Sequence, residues 1–559
     1  MTEFLVLLVL GLVVIAGATV LGPRLGIASP LVLVAIGVGA SFLPMFAEVR
    51  IDPEWILAGI LPPLLYSSAV AMPAMNFRRE FGAIGGLSVI LVVASSLLLG
   101  VFFMLVIPDL GFAWGVALGA IVSPTDAVAT SIIKQTSVSK RVVAMLDGES
   151  LLNDATALVL LRTAIVATAA SFSFWGAVGT FAYSVAVAVV IGGLVGWLNL
   201  RVRRRVTDST VNTVISFAVP FLASVPAELL GASGLVAAVV AGLVTGIRAP
   251  RELSPRNRLS DSQNWRTVEL VLEGAVFLTM GVQIKSIIES VQGDHSGVGM
   301  PVLIAAGALL LTVLIRAAYV TPLLVSLRRG LRRGERMQSR LAELQEKLGT
   351  EDGKKETIER MNARGGPGRA RGENDLQRFA TRITRGLADI EYFRRDPLGW
   401  RDGVVVVWAG MRGAVTVAAA QTLPEDTPQR AVIVLIAFAV AVLSLVVQGG
   451  TVGPLVRRLS PPVDTAAVAQ QRSADRQRIL DLMRSSTAGM VEPPRPDGEP
   501  THDDFVRARD ARLAAIAAQR AALLDARDNG TFDADLLESA LDNLDAAQIA
   551  LEIRDEFGS

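Results

Sequence analysis

Residues 148–155 read Gly-Glu-Ser-Leu-Leu-Asn-Asp-Ala and lie within an apolar stretch long enough to cross a membrane. Ser150 and Asp154 are four residues apart and share one helix face, with Glu149 and Asn153 in the neighbouring column. Asp154 would lie about 20 Å along this helix, near the middle of the membrane. A charged side chain there costs roughly 2.5–3.5 kcal/mol on insertion scales, so such acids usually handle ions or protons. A transport site is therefore favoured over a packing hydrogen bond.

Two other apolar stretches carry interruptions that could complete such a site. Residues 123–128 read Ser-Pro-Thr-Asp-Ala-Val, and Pro124 removes a backbone donor and breaks the helix. Residues 410–416 read Gly-Met-Arg-Gly-Ala-Val-Thr, with two glycines around Arg412. Paired broken helices in corresponding halves of a transporter indicate a binding site at the midplane, because broken ends supply dipoles and free carbonyl groups.

The composition requires a membrane protein, since 52% of the 559 residues are hydrophobic and only 19% are charged. The first apolar run lacks the features of a signal peptide and is predicted to be a retained helix. With no cysteine and only two histidines, thiolate and His-based metal sites are not expected. The thirteen predicted spans are 3–21, 27–46, 54–72, 82–107, 110–133, 142–170, 173–199, 211–229, 231–247, 267–290, 300–327, 403–422 and 429–456.

Lys and Arg residues concentrate on one side of these spans, which is therefore predicted to be cytoplasmic. An odd number of spans then places the N-terminus outside and the C-terminus in the cytoplasm. Four regions follow from this topology: spans one to eleven in 1–327, a charged cytoplasmic loop in 328–402, spans twelve and thirteen in 403–457, and a cytoplasmic tail in 458–559. Apolar spacing predicts one helix near 376–393 in the loop, and an αα-hairpin near 503–526 and 534–555, after a Pro-rich break at 493–500.

The charges predicted inside the membrane do not balance. Glu149 is expected to pair with Arg316, and Arg412 to neutralise Asp126 where the interrupted helices cross. Asp154 then has no basic partner, and a carboxyl group in a cavity without one can hold either a proton or a small cation. The charged residues counted are Asp126, Asp147, Glu149, Asp154, Glu273, Arg162, Arg316 and Arg412.

The joint pattern resembles the monovalent cation:proton antiporters of the NhaP/NHE branch over about residues 1–457. The segments that carry the resemblance are Ser-Pro-Thr-Asp ending at Asp126, Gly-Glu-Ser-Leu-Leu-Asn-Asp ending at Asp154, Leu-Glu-Gly-Ala-Val-Phe-Leu around Glu273, and Gly-Met-Arg-Gly-Ala around Arg412. The resemblance implies an all-α fold of thirteen transmembrane helices in two inverted six-helix repeats, with crossed discontinuous helices, a small helical tail and a homodimeric assembly. It implies sodium/proton exchange in the plasma (inner) membrane, with no enzyme activity and no cofactor.

The resemblance also assigns roles to individual residues. Asp154 would be the shared cation and proton site, with Asn153 the neighbour typical of electroneutral members. Ser150, the carbonyl group of Thr125 and Asp126 would complete or support it, so that Asp154, Ser150 and Thr125 are the expected Na⁺ ligands. The expected supporting charges are Glu149, Arg316, Arg412 and Glu273. Glu273 could also be a second ion ligand, although its place in a Gly-rich span favours a hydrogen bond between helices.

One departure from the family pattern concerns span three. Related chains often carry an acid shortly after the Leu-Pro-Pro motif, whereas here Leu61-Pro62-Pro63 is followed by Ser67 and Ser68. The expected site therefore has one strong charge and neutral oxygens, which suits one monovalent cation and leaves Na⁺, Li⁺ and K⁺ hard to separate.

Two other functions remain open from the sequence. A proton-coupled symporter of organic solutes could use the same scaffold, although the polar cluster has no aromatic lining for a larger substrate. An intramembrane aspartyl protease could use Asp126 and Asp154 as a dyad, although no Gly-x-Gly-Asp motif surrounds either acid.

Overall fold

A computed structural model describes residues 2–25, 28–44, 52–134, 136, 138–169, 174–293, 297–363, 372–459, 465–490 and 501–556, and regular secondary structure within these ranges is helical. The first thirteen helices are α1 (Thr2–Leu25), α2 (Ser29–Ser41), α3 (Leu61–Ala71), α4 (Ala74–Gly85), α5 (Val92–Val106), α6 (Phe112–Val122), α7 (Val128–Lys134), α8 (Lys140–Ala169), α9 (Phe174–Arg203), α10 (Ser209–Leu229), α11 (Gly234–Glu252), α12 (Pro255–Val282) and α13 (Ile284–Gly293).

The remaining helices are α14 (Gly299–Leu348), α15 (Glu351–Ala363), α16 (Glu373–Arg395), α17 (Trp400–Trp408), α18 (Ala414–Gln421), α19 (Arg430–Ser444), α20 (Gly450–Leu459), α21 (Thr465–Thr487), α22 (His502–Asn529) and α23 (Ala534–Glu556). The structure also contains three π-helical segments. Trp55–Ile60 precedes α3, Gly86–Leu91 joins α4 to α5, and Leu445–Gly449 joins α19 to α20.

The apolar helices account for the predicted spans. In the described part of the chain, nine helical stretches are long and apolar enough to cross a membrane, and Ser29–Ser41, Trp55–Ala71 and Phe112–Val122 are shorter apolar helices. Span 403–422 is divided between α17 and α18. Within the described residues, every predicted span thus consists mainly of helix, and the chain is a multi-pass, all-α membrane protein. That thirteen of these helices cross the bilayer remains a prediction.

The chain divides into two compact units. The first comprises Met1–Leu323 and Gly399–Pro461, and the second comprises Leu324–Leu398 and Pro462–Ser559. Within the first unit, small residues allow close helix packing: a side chain at Gly196 of α9 would lie 2.9 Å from the Ala241 carbonyl oxygen of α11. The absence of a side chain at Gly196 thus lets α9 and α11 pack closely.

The second unit is built from amphipathic helices. Leu348, Leu376 and Ile383 form one apolar cluster, and residues of α21, α22 and α23, including Ile479, Leu523 and Leu541, form another. The predicted hairpin is present, with Gly530 ending α22 in the left-handed conformation at φ 74°. Helix α21 was not predicted, and the Pro-rich break at 493–500 lies outside the described residues.

Helix α14 differs most from its predicted boundary, because it continues from the apolar span to Leu348 instead of ending near residue 327. The added residues are rich in Arg, Leu, Glu and Gln, which are strong helix formers. The predicted membrane span ended where the composition changes from apolar to charged. The helix itself continues, because the charged residues that follow also favour helical structure.

Candidate functional site

The two interrupted helices meet where their backbones are irregular. Residues 123–127 separate α6 from α7, and residues 409–413 separate α17 from α18. The backbone N–H of Asp126 donates to the carbonyl oxygen of Met411 at 2.7 Å, which joins the two breaks directly. The crossing of discontinuous helices expected from the sequence is thus present.

Gly413 permits this close approach. A Cβ atom at this position would collide with the carboxylate of Asp126. The backbone of Gly413 is extended, at φ −117°, so glycine is required here by space and not by conformation.

Arg412 hydrogen-bonds to backbone carbonyl groups and not to the acid expected as its partner. Its guanidinium donates to the carbonyl oxygens of Val122 at 3.0 Å, of Ser123 at 3.4 Å, and of Gly410. The expectation that Arg412 would neutralise Asp126 is therefore wrong: no ion pair to Asp126 is found among the described residues. Breaking the helix at Pro124 leaves carbonyl groups without intrahelical donors, and the cation satisfies these.

The carboxylate of Asp126 instead caps α7, where it accepts from the backbone N–H of Val128 at 2.9 Å. This places a negative group at the positive end of the second half-helix. The dipoles of the two half-helices at the first break are therefore balanced, by the cation of Arg412 at the carbonyl end of α6 and by the anion of Asp126 at the amide end of α7.

Glu149 and Arg316 form a buried, two-pronged ion pair, as the charge balance suggested. The guanidinium Nη2 lies 2.6 Å from Oε2 of Glu149, Nη1 contacts Oε1, and Nε donates to the Val406 carbonyl oxygen at 2.8 Å. Glu149 is 1% exposed and Arg316 is 2% exposed. Since this pair joins α8 to α14 and α17 in the interior, its charges are committed to structure.

Asn153 holds the first break against α8. Its side-chain amide donates to the carbonyl oxygen of Thr125 at 3.1 Å and to the Thr125 hydroxyl at 2.6 Å, and that hydroxyl lies 3.3 Å from Oε1 of Glu149. Asn153 is fully buried and does not line the cavity described next. Its contacts are those of a residue that positions Thr125.

A cavity of about 120 Å³ lies beside the crossing. Asp154 and Ser150 line it from α8, Thr125 and Asp126 from the first break, and Glu273 from α12. No Lys or Arg belongs to its wall among the described residues, and Asp154 forms no ion pair in that part of the chain. The cavity thus combines acidic and neutral oxygen groups, the ligands that small hard cations prefer.

The cavity also contains residues that the sequence did not indicate. Glu269 of α12 and Thr416 of α18 both belong to its wall. Glu273, which was expected to bond to a neighbouring helix, faces the cavity, and no hydrogen bond from its carboxyl group is found among the described residues. The four-residue spacing of Glu269 and Glu273 in an apolar helix was the available signal.

A second cavity, of about 760 Å³, is lined by Glu54, Arg162 and Glu228 among mainly apolar residues. Arg162 and Glu228 form an exposed pair at 3.5 Å. One apolar cluster contributes to both cavities: Leu61, Leu65, Leu151 and Val415 line the first, and Leu57, Leu158 and Leu235 line the second.

The sequence matches the family model described as sodium/hydrogen exchanger, transmembrane, over residues 9–342 and 379–458. The chain belongs to this family. It is accordingly a cation/proton transporter and not an enzyme, which excludes the aspartyl protease considered above.

Similar chains come from several bacteria. An uncharacterized Na⁺/H⁺ exchanger of Mycobacterium tuberculosis is 29% identical over 498 residues, which cover 85% of this exchanger and 80% of that protein. A Bacillus subtilis protein named as a sodium, potassium, lithium and rubidium/H⁺ antiporter is 30% identical over 313 residues, 54% of this exchanger and 47% of that protein.

The fold also matches a solved structure, that of the sodium proton antiporter MjNhaP1 from Methanocaldococcus jannaschii at pH 8. The two agree with a TM-score of 0.55 at 16% identity, over 82% of this exchanger and 99% of that chain. At this identity the likeness establishes the shared fold.

Proposed function

We propose that this exchanger moves one monovalent cation, Na⁺ most readily, against one proton across the plasma (inner) membrane, and that Asp154 is the site both ions share. The observation that carries the proposal is the position of Asp154 in an acidic cavity beside the crossing, without an ion pair in the described part of the chain. Every basic side chain at the crossing has another partner: Arg316 binds Glu149, and Arg412 binds carbonyl groups.

The proposed ligands of the cation are the carboxylate of Asp154, the hydroxyl of Ser150 and the carbonyl oxygen of Thr125, with Asp126 in support. Ser150 and Asp154 lie one helical turn apart in the cavity wall. The Thr125 carbonyl already accepts from Asn153, but a carbonyl oxygen has two lone pairs and can serve a second partner. Asn153 would act by orienting that oxygen.

Exchange follows from competition for one carboxyl group. Na⁺ requires the ionised form of Asp154, whereas a proton removes the charge that attracts the cation. If the protein reorients only when the site is occupied, each cation carried in one direction is matched by a proton carried in the other.

The two cavities support alternating access. They share the apolar cluster that includes Leu61, Leu151 and Leu158, which would keep water and ions from passing between them. Rocking of the helices that carry the crossing against α3 and α11 would open the site to one cavity at a time.

Topology and assembly extend the proposal. The basic residues between spans favour an outside N-terminus and a cytoplasmic C-terminus, so that 328–402 and 458–559 would face the cytoplasm. We further propose a homodimer, the assembly that the sequence resemblance implies.

Purified protein in liposomes tests the exchange itself. The liposome interior is made acidic relative to the outside and contains a pH dye. Addition of Na⁺ to the outside is then expected to drive protons out and dissipate the gradient. Li⁺ and K⁺ are expected to act more weakly but measurably, because carboxylate, hydroxyl and carbonyl oxygens discriminate poorly among alkali cations. If an organic solute dissipates the gradient and no alkali cation does, the result would favour the symporter.

A one-for-one exchange moves no net charge. An imposed membrane potential is therefore expected to leave the initial rate of Na⁺-driven proton movement unchanged. The potential should be set by a thiocyanate gradient, because the usual combination of valinomycin and K⁺ would add a possible substrate. A rate that changes steeply with the potential would show that the ratio of ions is not one to one.

A further inference from the structure

Helix α12 presents two acids to the cavity that the exchange described so far does not use. Glu269 and Glu273 are one helical turn apart, and both line the wall. Like charges at this spacing repel each other. Because the described wall contains no Lys or Arg, the two carboxylates lack a basic partner inside the cavity.

The surroundings of Glu269 hold it in place without neutralising it. The hydroxyl of Ser67 donates to its Oε2 at 3.3 Å. Lys134 and Arg266 act on Glu269 electrostatically, but Lys134 is paired with Asp147 at 2.9 Å and Arg266 is exposed. Glu269 therefore remains able to attract a cation from the water that reaches the cavity.

Thr416 provides an independent sign of a ligand. This residue is 1% exposed and belongs to the cavity wall, and its hydroxyl oxygen has no hydrogen-bond partner among the residues that the structure describes. A buried hydroxyl group without a partner is unfavourable. Helix α18, which carries Thr416, packs against α12, which carries the two acids. A cation bound between these helices would satisfy the hydroxyl and the carboxylates together.

The acids of the cavity lie on three different elements of the fold. Among the described residues, no three carboxylate or imidazole groups lie close enough together to hold a single metal ion. Asp126 and Asp154 lie on the first break and α8, whereas Glu269 and Glu273 lie on α12. Two positions in series fit this spread better than one shared site.

We propose that Glu269, Glu273 and Thr416 form a second cation-binding position, which the transported alkali cation occupies on its way to Asp154. The inference rests on the proposed function, since it concerns the path to the same exchange site. The second position raises the cation concentration next to Asp154 and takes no part in proton exchange.

The kinetic test uses liposomes that contain the Glu269→Gln, Glu273→Gln or Thr416→Val variant. Each is expected to raise the KM for Na⁺, by about tenfold for the loss of one charge, while the maximal rate at saturating Na⁺ stays near that of the wild type. The matched control is Glu289→Gln, an exposed acid on α13 outside the wall, which should leave KM unchanged. An unchanged KM in all three variants, or a fall in maximal rate alone, would overturn the proposal.

A binding measurement separates this inference from the exchange mechanism. Equilibrium binding of ²²Na⁺ is expected to persist in folded Asp154→Asn protein, and to disappear when Glu273→Gln is added. Loss of all binding in Asp154→Asn alone would reject the second position and leave the exchange mechanism intact. Continued exchange by Asp154→Asn would instead reject the exchange mechanism, whatever the binding result.

Discussion

Replacing Asp154 by Asn is expected to abolish cation/proton exchange while leaving the protein folded. The amide has nearly the same shape as the carboxyl group but can neither release a proton nor offer a negative charge to Na⁺. Because Asp154 has no ion pair among the described residues, the substitution also leaves no buried basic partner unsatisfied. Dissipation of a pH gradient by Na⁺ should fall to the level of liposomes without protein.

The matched control is Asp147→Asn, the same substitution seven residues earlier on α8. Asp147 pairs with Lys134 and lies outside the cavity wall, so most exchange activity should remain. The exchange activity of Asp126→Asn should lie between those of Asp154→Asn and Asp147→Asn, since Asp126 lines the cavity but also caps α7. If Asp154→Asn protein exchanges Na⁺ for protons like the wild type, Asp154 is not the shared site.

Breaking the ion pair between Glu149 and Arg316 is expected to cause the largest loss of stability. Arg316→Met leaves the 1% exposed carboxylate of Glu149 without its cation, and uncompensated buried charges of this kind cost about 3–5 kcal/mol. The Val406 carbonyl oxygen loses a donor as well. The variant should show a much lower Tm in detergent and a smaller yield of monodisperse protein.

Two further variants isolate the charge effect. The double variant Glu149→Gln/Arg316→Met removes both charges and should recover much of the lost stability. Arg162→Met breaks the exposed pair with Glu228, whose side chains are 64% and 37% exposed, and should change the Tm little. If Arg316→Met has the same Tm as the wild type, the ion pair between Glu149 and Arg316 does not stabilise the interior.

The sequence predicted those features that depend on local composition. Long apolar runs have to form helices in lipid, because no other local structure satisfies the backbone there, so each predicted span consists mainly of helix within the described residues. Pro124 interrupts its helix for an equally local reason, because it removes a backbone donor. The cost of an acid at mid-membrane was enough to single out Asp154, and balancing charges was enough to pair Glu149 with Arg316.

Other features depend on which groups the packed helices bring together. Arg412 was matched to the nearest acid by counting charges, but the free carbonyl groups of the first break compete for it and lie where the crossing places them. Asn153 was expected in the ion-binding group as the neighbour of Asp154, and the contact of its side-chain amide with Thr125 could not be read from the sequence. Neither outcome follows from sequence spacing, because each depends on a contact between separate segments.

The amino-acid sequence by itself determined that this chain is an all-α membrane protein with two broken helices and an acid at mid-membrane, since hydrophobicity, proline chemistry and charge act within a single segment. Only the tertiary structure decided which side chains surround that acid. Glu269 and Thr416 are distant in sequence from Asp154, and they reach the same cavity because α12 and α18 pack together beside the crossing.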